Sequence, residues 1–309
     1  YADAITGDFY YNSLTGQFKT VNTGGAPIGT WASGGSLNTA RQDVGDAGVG
    51  PQTAAMTTGG KNPSVLAVNE QYDGTSWTEV SDLNTARGDT GVSGISTNAI
   101  AFGGQLPSQT AVVEQWDGSS WTETTDLNTA RQRCGSAGVT SGNDALAYSG
   151  GPPYYANTEK WNGSSWTELA DLNEARAAAY GSGTTTAALA VAGEPPGAPY
   201  RTTNVEEWDG TSWTEINNLN QATNFQGNAG TVTSAIAFGG YVPALSTKTE
   251  FYNGTSWTEI NDMSTARAEL SGSGTSTSAL AAAGATPSNS DATEEFTAAD
   301  FLIKTVTTS

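Results

Sequence analysis

The chain has 309 residues, of which 31 are acidic and 12 basic, with no histidine and a single cysteine. A net charge of −19 argues against nucleic-acid binding, where affinity comes largely from Lys and Arg on phosphates, and against docking on anionic membranes. Without histidine, Ser-His-Asp and Cys-His catalysis and His-containing zinc sites are excluded, and the lone Cys134 precludes an internal disulfide.

Taken in chain order, residues 7–19 (Gly-Asp-Phe-Tyr-Tyr-Asn-Ser-Leu-Thr-Gly-Gln-Phe-Lys) read as a hairpin bending at 12–16. From Trp31 a phrase begins to repeat: a tryptophan strand followed by Leu-Asn-Thr-Ala-Arg or a near variant. The copies lie at 37–41, 83–87, 127–131, 172–176, 219–223 and 263–267, spaced by 46, 44, 45, 47 and 44 residues. A fixed period near 45 means one supersecondary unit copied and stacked, either a helical array or four-stranded propeller blades. Thirty-eight glycines and 11 prolines decide against helices, whose interiors lose about 1 kcal/mol per glycine and 3 per proline.

One unit shows the pattern. After Arg87 come a small-residue stretch at 90–95 (strand A), an apolar stretch at 99–102 (strand B) and the pair Gly103-Gly104. A variable loop at 105–110 leads to strand C at 111–116. The turn Asp117-Gly118-Ser119-Ser120 then leads to strand D, which starts at Trp121. Asp-Gly supplies the positive φ that a tight hairpin needs. Asn162-Gly-Ser164 and Asn253-Gly-Thr255 match glycosylation sequons, but they occupy this same turn and are read as turns.

These features together (Arg before a small-residue strand, an apolar strand ending in Gly-Gly, an aromatic before the turn and a tryptophan after it) resemble the kelch repeat. The resemblance covers about residues 31–297 and implies an all-β, six-bladed β-propeller with strand A lining a central channel. Two copies depart from the diglycine, at Gly193-Glu194 and Gly284-Ala285. The first D strand, at Trp31, has no A, B or C before it, and residues 268–297 have no D after them. The N-terminal strand is therefore expected to complete the C-terminal blade and close the ring.

Glu70, Glu114, Glu159, Glu206, Glu250 and Glu294 recur at one position of strand C, and Glu79, Glu123, Glu168, Glu215 and Glu259 follow the strand D tryptophan. A carboxylate present in nearly every blade reads as a structural pairing rather than as six active sites. Its partners are Arg41, Arg87, Arg131, Arg176 and Arg267, whose forked guanidinium suits carboxylates. The alternative is an arginine ring near the channel mouth that binds an anion. The aromatic pairs flanking each turn, such as Trp116 with Trp121, read as the outer packing of a blade. Cys134 falls in strand A and is expected to be buried. No metal site or cofactor is expected.

The copies differ in the loops joining strands B and C, at 61–66, 105–110, 152–157, 194–203, 241–248 and 285–292. In kelch-like propellers these loops share a face with the D-to-A linkers, and that face commonly binds partners. Here it presents Tyr154, Tyr155, Tyr200, Arg201 and Tyr241 among prolines, a composition suited to recognition.

The hairpin at 7–19 is similar to a short motif of bacteriophage virion proteins, particularly tail-fibre and surface proteins, where it often precedes repeats of the Asn-Gly-Thr-Ser-Trp-Thr-Glu style. That resemblance implies a non-enzymatic virion surface component: a tail fibre, receptor-binding protein or capsid decoration. Residues 1–30 would attach to other virion proteins, residues 31–297 would form the propeller and residues 298–309 a terminal strand or tail. The protein would be multimeric in the particle and its ligand a host-surface glycan or protein. The alternatives are a secreted or cell-surface bacterial kelch-like interaction module, and a polysaccharide-degrading enzyme that uses only carboxylates.

Overall fold

The computed structural model describes residues 9–12, 17–20, 29–45, 50–138, 141–197 and 199–298. Phe9–Asn12 pairs antiparallel with Gln17–Thr20, as the hairpin reading requires. Of the expected terminal strand or tail at 298–309, residues 299–309 lie outside the described residues.

The rest is a six-bladed propeller. Blade 1 contains Met56–Thr58, Asn69–Tyr72 and Trp77–Val80. At its inner edge Gly45 N donates to Thr58 O at 3.0 Å, and residues 46–49 lie outside the described residues. Blade 2 is Gly91–Ile95, Asn98–Phe102, Val113–Trp116 and Trp121–Glu123. Blade 3 is Gly135–Ala137, Ala145–Tyr148, Thr158–Trp161 and Trp166–Glu168. Blade 4 is Gly181–Thr184, Ala187–Val191, Val205–Trp208 and Trp213–Ile216. Blade 5 is Gly227–Thr231, Ser234–Phe238, Thr249–Tyr252 and Trp257–Glu259. Each sheet is antiparallel in chain order.

Blade 6 closes the ring. Ser271–Thr275, Ser278–Ala282 and Thr293–Ala298 take Gly29–Ser33 as their fourth strand. Its register sets Phe296 opposite Trp31. Closure in this form removes the open seam that a linear array of sheets would leave.

The aromatic pairs flanking the turns meet across strands C and D, Trp116 and Trp121 at 5.5 Å, and the strand D tryptophans reach beyond their own blade as well. The strand D tryptophans are only 5–8 % exposed because each is inserted between its own blade and the preceding one. Trp166 of blade 3 packs with Ile100, Phe102 and Val113 of blade 2, its ring 5.2 Å from that of Phe102. Several donate their indole N–H to strand C of the preceding blade: Trp77 to Thr293 at 2.9 Å, Trp213 to Thr158 at 2.9 Å and Trp31 to Thr249 at 3.1 Å. A large apolar ring with one donor fills such a gap and finds a polar partner across it.

The glycine pair after strand B is also shifted from its expected register. Left-handed φ values fall on Gly103 and Gly104 in blade 2, but on Ala192 and Gly193 in blade 4 and on Ala283 and Gly284 in blade 6. The departure therefore lies at the first position of the pair, and the bulge survives. The second position admits no side chain: a Cβ on Gly193 would lie 2.6 Å from Ala177 O, and one on Gly284 2.7 Å from Ala268 O.

Candidate functional site at the channel mouth

The linker arginines point into the blades. Arg41, Arg87, Arg131, Arg176 and Arg267 are fully buried, and each meets the strand C glutamate of the blade it enters. Arg41 contacts Glu70, Arg87–Glu114 and Arg267–Glu294 are both 3.1 Å apart, Arg131–Glu159 is 2.5 Å and Arg176–Glu206 is 2.6 Å. The same glutamate accepts from the linker backbone, as where Asn84 N reaches Glu114 Oε2 at 2.7 Å. One carboxylate thus clamps the incoming chain of the preceding blade. Burial alone would raise the Glu70 pKa, but the Arg41 guanidinium and the Asn38 N–H outweigh it and lower it. Burial lowers Arg87 to about 10. With every guanidinium buried against a carboxylate, the pairing reading accounts for these residues, and none is presented to an anionic ligand. The strand D glutamates, by contrast, are exposed.

Two residues beyond each arginine (or Thr223 in blade 5) the chain adopts a left-handed φ, at Asp43, Asp89, Arg133, Ala178, Phe225 and Glu269. Their backbones form successive bonds around the axis: Asp89 N to Asp43 O, Arg133 N to Asp89 O, Ala178 N to Arg133 O and Glu269 N to Phe225 O, at 2.8–3.0 Å. The scaffold repeats at this position while the side chains do not.

Those side chains meet residues of the B–C loops. Lys61 Nζ lies 2.9 Å from Asp43 and 3.6 Å from Asp89, and donates to Gln105 Oε1 at 2.5 Å. Arg133 lies 3.7 Å from both Asp89 and Glu194, with its guanidinium carbon 5.0 Å from the centre of the Phe225 ring. Tyr154 OH donates to Glu194 at 2.8 Å, and the Tyr241 ring stands edge-on to Phe225 at 6.2 Å. Two cations therefore serve four carboxylates, counting Asp43, Asp89, Glu194 and Glu269.

The electrostatics follow from that imbalance. Burial, aided by the Asp43 charge and opposed by Arg133 and Lys61, raises Asp89 to about 7. Burial, then Asp43 and Asp89, raises Glu269 to about 8. Burial and Glu194 push Tyr154 up to about 12. Burial followed by the Glu269 and Asp43 charges also raises Tyr241. Both Asp89 carboxylate oxygens are buried without a hydrogen-bond partner. The arrangement places two carboxyls whose pKa values are raised toward or past neutrality beside two cations, the kind of perturbation that marks candidate functional sites.

The sequence-predicted ligand residues divide. Tyr154 and Tyr241 join this cluster. Tyr200, 53 % exposed, extends it outward in the blade 4 loop, and the Tyr200 carbonyl accepts from Asn224 at 3.0 Å; Arg201 follows it, half-buried. Tyr155 turns away: its OH accepts from Gln109 at 2.9 Å and its ring lies 6.0 Å from the Arg131 guanidinium carbon. Sequence reasoning missed Asp43, Asp89, Arg133, Glu269, Lys61 and Glu194. For the first four the available signal was the second residue after each linker arginine, where charge varies within an otherwise uniform phrase; Lys61 and Glu194 are the first residues of two B–C loops. Among the described residues no group of three or more Cys, Asp or Glu side chains is placed to hold a metal ion, and no helix is long and apolar enough to cross a membrane.

No protein-family model and no curated protein sequence matches the chain. Among solved structures it is similar to that titled "Structure of YjhT", with a TM-score of 0.68 and 14 % identity over 86 % of this chain and 97 % of that one. At that identity the likeness is one of fold: a six-bladed β-propeller is the architecture the chain shares.

Proposed function

We propose that the chain is a non-enzymatic recognition module, a rigid propeller that meets its ligand on the face carrying the B–C loops. One observation carries this reading: the position equivalent in all six blades varies, as Asp43, Asp89, Arg133, Ala178, Phe225 and Glu269, beside B–C loops that also vary, whereas the buried clamps are nearly uniform. In its specific form, the module is a virion surface component, such as a tail fibre, receptor-binding protein or capsid decoration. Residues 1–30 attach it to the particle, and a host-surface glycan or protein is its ligand. The likeness of residues 7–19 and of the Asn-Gly-Thr-Ser-Trp turns to phage virion sequences supports that form.

A glycan array and a cell-binding assay on the purified protein test the site, comparing it with a variant carrying Tyr154→Ala, Tyr200→Ala and Tyr241→Ala. Binding by the parent and loss in a folded variant is the expected result; equal binding by both overturns the assignment. Detection of the protein in purified virus particles tests the virion form separately.

A second reading, a glycan-acting enzyme that uses only carboxylates, is favoured by the protonation of Glu269 to about pH 8 beside Asp43, since a neutral acid next to a second carboxyl suits acid–base chemistry. Turnover of an oligosaccharide panel that Glu269→Gln abolishes would establish it, and absence of turnover removes it.

A further inference from the structure

Blade 5 lacks its clamp arginine. Thr223 stands where Arg41, Arg87, Arg131, Arg176 and Arg267 stand in the other copies, yet Glu250, the strand C glutamate, is retained and is 7 % exposed. Glu250 keeps its linker contacts, accepting from Asn220 N at 2.9 Å and Asn220 Nδ2 at 2.7 Å on one oxygen, and from Gln221 N at 3.2 Å on the other. Lys248 does not replace the missing cation. Its ammonium turns to Glu259 at 2.5 Å and Asp262 at 3.3 Å.

A cavity occupies the place. It is lined by Thr223, Gln226, Ala237, Gly239, Lys248 and Glu250 among others. In blade 2 the Arg87 guanidinium donates to the carbonyls of Ala101, Gly103 and Val112 and to Glu114. Counting along the repeat, Ala101, Gly103, Val112 and Glu114 correspond to Ala237, Gly239, Lys248 and Glu250 of blade 5. All four line the cavity. Arg267 in blade 6 makes three of the four equivalent contacts, to Ala283 O, Ala292 O and Glu294. A set of acceptors that holds a guanidinium in blades 2 and 6 is therefore assembled in blade 5, where the linker supplies none. The cavity walls also include Gln221, which is exposed, and Val242, which is half-exposed, so this wall reaches the surface.

We propose that this cavity is a receptor for a guanidinium group supplied from outside the chain, as the arginine side chain of a partner polypeptide or as a small guanidine. Glu250 Oε1 takes the charge, and the carbonyls of Ala237, Gly239 and Lys248 orient the planar fork, which carries five N–H donors. A guanidinium spreads five donors around one plane, whereas a primary ammonium directs three from a single nitrogen, so the selectivity is geometric as well as electrostatic. This site is distinct from the channel mouth and does not depend on the role assigned there.

The test is a titration of the full chain with methylguanidinium and with a short blocked peptide containing one arginine. Methylammonium and sodium chloride at equal ionic strength serve as controls, with binding read by NMR shifts of blade 5 amides and by thermal unfolding. Saturable binding of methylguanidinium but not methylammonium is expected, weakened roughly tenfold or more in Glu250→Gln and abolished in Thr223→Arg, which fills the cavity from within. Binding of the peptide as well identifies a polypeptide arginine as an admissible occupant, whereas methylguanidinium alone restricts the site to small guanidines. Absence of saturable binding, or binding unchanged in Glu250→Gln, overturns the proposal. Because Glu250→Gln keeps the size of the side chain, the test stands even if Thr223→Arg fails to fold.

Discussion

Arg131 and Glu159 meet at 2.5 Å with neither side chain exposed, and Asn128 N and Thr129 N of the incoming linker converge on the same carboxylate at 2.7 and 3.2 Å. Removing the guanidinium leaves Glu159 a buried charge held only by neutral donors of the linker, with no cation beside it. Arg131→Met should destabilise the propeller by about 3–5 kcal/mol, measured by urea unfolding, and adding Glu159→Gln should recover part of that loss. A loss below about 1 kcal/mol would show that the linker N–H groups satisfy Glu159 unaided.

Trp31 carries the closure of the ring. Its indole lies 4.9 Å from Phe238 and 5.4 Å from Phe296, so it joins blades 5 and 6 as well as pairing the chain's two ends. Trp31→Ala should cost about 3–5 kcal/mol by leaving a cavity. Trp31→Phe should cost less, since it retains an aromatic ring and gives up the bond to Thr249. Thermal unfolding of the two variants checks the order, and equal midpoints would show that closure does not depend on this ring.

Ala283 holds a left-handed φ of 60° beside Gly284 at 104°. An L-residue pays about 1–2 kcal/mol in that region, against the extra unfolded-chain entropy of glycine. Ala283→Gly should therefore raise stability by up to about 1 kcal/mol, whereas Gly284→Ala should lower it, since its Cβ would meet Ala268 O at 2.7 Å. Calorimetry on the pair gives opposite shifts if the bulge assignment is right.

Stability should fall as pH rises from about 5 to 8.5. Asp89 is raised from 3.8 to about 7 and Glu269 from 4.5 to about 8, so between those limits the folded state holds protons that the unfolded chain has released. Stability then decreases with pH across that window and levels off above it. The surrounding groups are Asp43, Lys61, Arg133, Glu194, Tyr154 and Tyr241. Asp89→Asn should flatten the lower part of the slope and Glu269→Gln the upper part, as read from urea midpoints at a series of pH values. A flat parent profile would show that Lys61 and Arg133 keep both carboxylates ionised.

Residue order made most of the fold legible. The 45-residue period, the six tryptophan turns and the unpaired strand at Trp31 specify blade number, strand order and closure, because a short strand can bury its apolar face only against its copies. The Asp-Gly and Asn-Gly turns are equally local. Asp117 accepts from Ser119 N and Ser120 N at 2.8 and 2.9 Å, a bond set contained within four residues. The Arg–Glu clamps were also within reach, since a charge that recurs in one strand demands a recurring partner.

The placement of the tryptophans was decided by tertiary structure: their alternation marks a buried face but not whether the neighbour is the same blade or the preceding one. So was the channel-mouth cluster. Asp43, Lys61, Asp89, Arg133, Glu194 and Glu269 are drawn from five blades and are separated by as many as 226 residues, from 43 to 269. No local pattern links them. They meet because ring closure brings one backbone position from every blade to a single axis, where burial and a deficit of cations then set their protonation.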